Sequence, residues 1–208
     1  MGHIPKDESI NIDVLKFEES QKSNHSSCNY DRSKWIYFPD FYSEYRYILG
    51  TIGKNSLITI GINPSTAHPN CVDNTIKSVE RLAINNGFDS FIMCNVYAQR
   101  STEPNSMDKN FNEKLHLENL NAFRWIFEKV DTQPIIWAAW GTNIDKRDYL
   151  KACLIEIEKL SSKYNSRWVK AGNLSKKGHP HHPLYLPPIE GLTQLQLLWL
   201  PPTHTCPY

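Results

Sequence analysis

Asn63 stands between an apolar run, Leu57-Ile-Thr-Ile-Gly61-Ile62, and the segment Pro64-Ser65-Thr66-Ala67. A carboxamide in that place offers an acceptor and two donors but is no base. It can orient a water or hold the edge of a planar ligand; it cannot deprotonate either. Pro64 restricts the backbone and removes a donor, so the loop carrying Asn63 is stiff. Asn95, closing Phe91-Ile-Met-Cys-Asn95, and Gly141-Thr142-Asn143 repeat the pattern of polar groups after an apolar run. The segment Gly178-His-Pro-His-His-Pro-Leu-Tyr-Leu186 adds His179, His181 and His182. An imidazole can donate to an oxyanion developing on a leaving group. An amide suits the edge of a nucleobase and a histidine a departing anion, so any hydrolysis here would lean on leaving-group stabilisation.

Each of these residues also has a plainer reading. Asn63 before proline makes an Asx turn, and taken alone that reading is favoured. Asn95 can cap its own loop, and Asp73 is a helix N-cap before it is a catalytic carboxylate. Neighbouring side chains in His-Pro-His-His diverge, and no carboxylate or cysteine stands beside them, so no metal or other cofactor is expected. Arg100 suits either a phosphate or a structural ion pair. Lys170, Lys176 and Lys177 form a small basic patch that is solvated by default and a phosphate-backbone contact at best.

The elements that must carry these groups follow from the hydrophobic pattern. Leu57–Ile62, Phe91–Tyr97 and Pro134–Gly141 read as buried strands, and Arg167–Leu174 as a fourth. The aromatic stretch Trp35–Leu49 reads as a first strand packed on the sheet. Asp73–Asn86, Leu115–Val130 and Asp145–Leu160 read as helices, the first with Gly87 placed to end it. Alternating strands and helices imply an α/β fold with a mostly parallel central sheet in three layers, α/β/α. Continuous apolar strands suit a sheet buried on both faces. In such sheets ligands bind beyond the carboxyl ends of the strands. Residues 1–33 are polar and read as a flexible arm, residues 34–188 as one domain, and residues 189–208 as a tail.

Composition bounds the rest. A chain of 208 residues with 40% hydrophobic and 12% aromatic content supports one substantial core. Its net charge of +1 gives no long-range field toward nucleic acid, though a local patch remains compatible with it. Five scattered cysteines without a Cys-x-x-Cys pair argue against a zinc ribbon, redox motif or iron–sulfur cluster. The apolar runs are too short to span a bilayer, Met1–Ser20 has no apolar core, and a reducing cytoplasm is expected.

The order of the segments carries a resemblance. Gly61-Ile62-Asn63-Pro64 resembles motif one of the uracil-DNA glycosylase superfamily in its mismatch-specific form. Phe91–Asn95, Trp137–Gly141 and His179–Leu184 are similar to its later segments. More closely, the chain resembles the bacterial and phage domain-of-unknown-function family sixteen forty-three. That family carries Asn-Pro-Ser-Thr-Ala, Asp-x-Thr, Asn-x-x-Ala-x-Arg, Trp-Gly and His-Pro-Leu-Tyr-Leu. Here they stand at Asn63–Ala67, Asp73 and Thr75, Asn95–Arg100, Trp140-Gly141 and His182–Leu186. The resemblance implies a glycosylase-like fold in which Asn63 positions water and Asn95 reads the base. His182, with His179 as the alternative, supports the departing base, and Asp73 adds charge near the sugar. Gly61, Ile62, Pro64, Ser65, Thr66, Arg100, Trp140 and Gly141 would shape the substrate site. Leu184 or Tyr185 would enter the groove. Motif one lacks the acid of the most active uracil enzymes, and Ser65 replaces the usual glycine or aromatic. The implied partner is nucleic acid, DNA ahead of RNA, or a free nucleotide, met by a monomer. The alternatives are a nucleobase-binding module without catalysis, and a role in hypermodified-base chemistry or phage conflict.

Overall fold

The computed structural model describes residues 12–23, 29–187 and 189–197. Four strands form the centre: β3 (Ser56–Gly61), β4 (Ser90–Asn95), β5 (Ile135–Ala138) and β6 (Arg167–Ala171). They are flanked by β1 (Trp35–Phe38) and β2 (Ile48–Thr51) at one edge and β7 (Leu192–Gln194) at the other. The order across the sheet is β1-β2-β4-β3-β5-β6-β7. β4-β3-β5-β6 are parallel, whereas β1–β2, β2–β4 and β6–β7 are antiparallel. The sheet is therefore mixed: the expected parallel arrangement holds for the centre and fails at both edges.

Each central strand shares its side chains between two apolar clusters, as period-two geometry requires. Ile58, Ile60, Ile92, Ile136 and Trp168 pack in one cluster with α3 (Glu113–Lys129) and α4 (Asp148–Ser162). Leu57, Phe91, Met93, Trp137 and Val169 pack in the other with α2 (Asn74–Asn85). The α2 stripe Ile76, Val79, Leu82 and Ala83 is buried at helical spacing. The Asp73 side chain accepts from the Ile76 N–H at 2.9 Å and so caps this helix, as its sequence position predicts.

The stretch expected as one first strand is a hairpin. Pro39 cannot donate to a ladder, and the chain turns back between β1 and β2. The expected N-terminal arm also contributes structure, because α1 (Phe17–Lys22) docks through a buried aromatic side chain. The Phe17 ring meets Phe38, Tyr47 and Trp125 edge-on at 5.8, 5.8 and 5.9 Å. Leu15 bonds both tyrosine hydroxyls, Tyr45 and Tyr47, at 2.8 Å. The expected C-terminal tail likewise begins inside the fold: β7 covers the β6 edge, and Asn86 clasps it through Glu190 O and Leu192 N, each at 3.0 Å. The polar composition of both flanks concealed a few well-placed apolar side chains. The remainder of each flank, residues 1–11, 24–28 and 198–208, lies outside the described residues.

Candidate functional site

From β3 the chain passes through α2 to β4 on one side, and from β5 through α4 to β6 on the other. Between two such strands the connections part and leave a crevice at the carboxyl edge. A cavity of about 280 Å³ lies there, reached by Asn63 after β3 and by Asn143 after β5. Ser65, Asp73, Thr75 and His182 also line it.

Asn63 is held firmly. Its Nδ2 donates to the carbonyls of Ser101 at 2.8 Å and Pro64 at 3.2 Å. Its Oδ1 has no donor among the described residues, which leaves one oriented acceptor for a ligand or a water. Gly61 permits the close strand approach beneath, because a Cβ there would lie 2.6 Å from the Met93 methyl carbon. Ser65 Oγ donates to Asp73 Oδ2, while Asp73 Oδ1 serves the helix cap. Both carboxylate oxygens are thus engaged.

His182 opens the short 3-10 turn Pro183–Tyr185. Its Nδ1 accepts a long hydrogen bond from Leu184 N–H at 3.4 Å, which assigns the ring proton of the neutral form to Nε2. Burial lowers its pKa below the usual imidazole value, against an opposing pull from Asp73. The ring is therefore a neutral donor near pH 7, and Nε2 has no acceptor among the described residues. Gly141 allows this placement: its φ is +65°, and a Cβ would stand 3.4 Å from the His182 Cβ. Leu184 and Tyr185 form the cavity mouth, 48% and 80% exposed.

Of the residues expected at the site, Gly61, Ile62, Asn63, Ser65, Asp73, His182, Leu184 and Tyr185 line the cavity. The others stand elsewhere. Asn95 is fully buried outside the lining; in the orientation that satisfies both amide atoms, its nitrogen donates to the Asn63 carbonyl at 3.2 Å. It shapes the Asn63 loop from below. Arg100 is buried with Nη1 on the carbonyls of Ser65 and Ala67 and Nη2 on the Tyr37 hydroxyl, while its Nε has no partner among the described residues, so it pins the loop and stands outside the cavity lining. His179 lies in a separate cavity with Trp140, its Nε2 3.0 Å from Asp145 Oδ2. That placement separates the two histidines and leaves His182 alone beside Asn63. Pro64 and Thr66 belong to the loop without lining the cavity, and Gly141 acts behind His182.

Sequence reasoning missed Arg46, which lines the cavity and is 2% exposed. Burial, with the nearby Arg100 charge, pushes its guanidinium down to about 9, so it remains a cation at neutral pH. The available signal was the one cation in the aromatic stretch Trp35–Leu49, set between Tyr45 and Tyr47. Thr75, Ser101 and Thr102 complete the polar lining.

Among the described residues no three of His, Cys, Asp and Glu converge as a metal site, and no helix is long and apolar enough to cross a membrane. The chain matches no curated protein and no solved structure. One sequence family does match: the one described as "Protein of unknown function (DUF1643)" covers residues 46–184. That span begins at Arg46, holds Asn63, Asp73 and His182, and ends at Leu184 at the cavity mouth. With the matched region exceeding half of its length, the chain belongs to that family.

Proposed function

We propose that the chain binds a nucleobase in the Asn63 cavity and hydrolyses the N-glycosidic bond joining it to its sugar. The reading takes the fold as a three-layer α/β/α arrangement of the uracil-DNA glycosylase type. One observation carries it: loops remote in sequence bring an acceptor, Asn63 Oδ1, and a donor, His182 Nε2–H, both without a partner among the described residues, to one cavity. Asn63 would orient a water toward the anomeric carbon. The C–N bond would break with its electron pair passing to the base, and His182 would hydrogen-bond the departing anion. The water would bond to the carbon and release its proton to solvent. Asp73 would favour the cationic sugar by charge alone. A base carried on DNA would have to leave the stack, at a cost of a few kcal/mol that is smaller for damaged or mismatched pairs. Leu184 and Tyr185, exposed at the cavity mouth, would fill the gap it leaves.

The test is abasic-site formation on single- and double-stranded oligonucleotides carrying uracil, hydroxymethyluracil, a G·T mismatch or glucosylated hydroxymethylcytosine. Base release from free nucleotides is measured in parallel. Loss of product of at least about 100-fold in Asn63→Ala and His182→Ala, with folded variants, is the expected result. Undiminished turnover in both variants would remove the assigned roles. A second reading, binding without cleavage, is favoured by the engagement of both Asp73 oxygens, which leaves no free base in the lining. Retention of base-bearing ligands with no base released would support it.

A further inference from the structure

Arg46 is the only Lys or Arg among the described residues lining the Asn63 cavity. Its Nη1 donates to the Ala67 carbonyl at 2.8 Å. Its Nε is buried without a partner, and Nη2 reaches no acceptor among the described residues. These two nitrogens lie on the same side of the guanidinium and form one fork of parallel donors. No carboxylate approaches Arg46 within 4 Å among the described residues. A cation removed from water in this way is costly unless something pairs with it.

The surroundings make the imbalance larger. Arg100 shares the Ala67 carbonyl at 3.2 Å, so Arg46 is not the sole support of that oxygen. Asp73 is the one acid in the lining, and both its oxygens already accept hydrogen bonds. One acid beside two guanidinium groups leaves a buried cluster of net positive charge. The first turn of α2 opens on the same cavity through Thr75. The backbone N–H groups of Asn74 and Thr75 have no acceptor among the described residues, and helix N-termini favour anions.

We propose that Arg46 anchors an anion subsite in this cavity and that the anion is the phosphate of a nucleoside 5′-monophosphate. A guanidinium fork matches two oxygens of one phosphate, which a lysine ammonium does not. A phosphomonoester ends the ligand and can be buried, whereas an internal phosphodiester must let the strand out at both sides. A cavity of about 280 Å³ is of the size of a single nucleotide. The inference deepens the nucleobase reading and rests on it for the other half of the ligand.

The experiment is calorimetric titration of the full chain with deoxyuridine and its 5′-monophosphate, the adenine and guanine counterparts, inorganic phosphate, and a single-stranded deoxyuridine oligonucleotide. At least one monophosphate is expected to bind about tenfold or more tightly than its nucleoside. R46K keeps the charge and loses the fork; it is expected to erase most of that advantage while leaving nucleoside affinity in place. Melting temperatures establish that R46K is folded, and stabilisation of the unsubstituted chain by phosphate needs no variant. Equal affinity for nucleoside and monophosphate would overturn the subsite and leave the nucleobase reading intact. Phosphate binding lost in R46K, without any nucleoside binding, would support the subsite and overturn the nucleobase reading. Preference for the oligonucleotide would overturn the assignment to free nucleotides. Binding of none of the ligands would overturn both.

Discussion

The imidazole of His182 has a single proton to offer, because its other nitrogen already accepts from Leu184 N–H. Protonating Nδ1 would set two donors face to face, which agrees in direction with its lowered pKa. The folded group holds its proton less tightly than the unfolded one. Its contribution to stability is thus complete above the usual value of 6.5 and is lost as pH falls through the lower folded value. His68 and His116 are lowered in the same direction by burial, so the acid-side loss is shared. H182Q is expected to show a smaller drop in melting temperature between about pH 7.5 and 5.5 than the unsubstituted chain. An unchanged drop would assign the effect to the other histidines. Asn63 was legible in the sequence because it directly follows an apolar run, Asp73 because it opens a helical pattern, and His182 because it heads the segment His182-Pro-Leu-Tyr. Arg46 was not, because a charge inside an aromatic run gives no sign of which way it points. Asn95 and Arg100 were recognised by type but not by direction: each turned into the fold, where the Asn63 loop required bonding groups.

At the scale of elements, the loop from Asn63 to Ala67 is defined by what grips it from outside. Arg100 satisfies the Ser65 and Ala67 carbonyls and lies 4.4 Å from the Tyr42 ring centre. R100M is expected to cost about 2–3 kcal/mol by leaving the Ser65 carbonyl unpaired and the Tyr37 hydroxyl without its donor, while Arg46 still holds the Ala67 carbonyl, measured by chemical denaturation. A loss below about 0.5 kcal/mol would show that water replaces the guanidinium. Gly141 serves the opposite loop. G141A imposes left-handed strain of about 1–2 kcal/mol on the turn that touches His182, so it should reduce both stability and ligand affinity. Affinity retained at full strength would show that His182 does not depend on this turn. The central strands and three long helices were legible because their apolar periods are long and uninterrupted. The β1–β2 hairpin was read as one strand because aromatic residues continue through the turn, leaving Pro39 as the main break. The antiparallel β7 has only three residues and too little pattern to register.

On the scale of the whole molecule, the described residues 12–23 and 189–197 of the two flanks pack onto the domain. Phe17 is buried among Phe38, Tyr47 and Trp125, so F17A should cost about 3 kcal/mol or more although it lies far from the cavity. Denaturation midpoints test this, and a loss under about 1 kcal/mol would return α1 to the status of an arm. The interleaved strand order has a consequence for how the protein is made. β3 ends up between β4 and β5, both synthesised after it, and β6 waits for β7 to cover its edge. A chain emerging from the ribosome therefore carries β3 with neither neighbour yet available, and β6 with one side bare until residues 192–194 arrive. Long-range pairing of this kind is slow, and unpaired edges invite association with other chains. Nascent chains halted before β7 should consequently be held by chaperones longer than chains that extend past it.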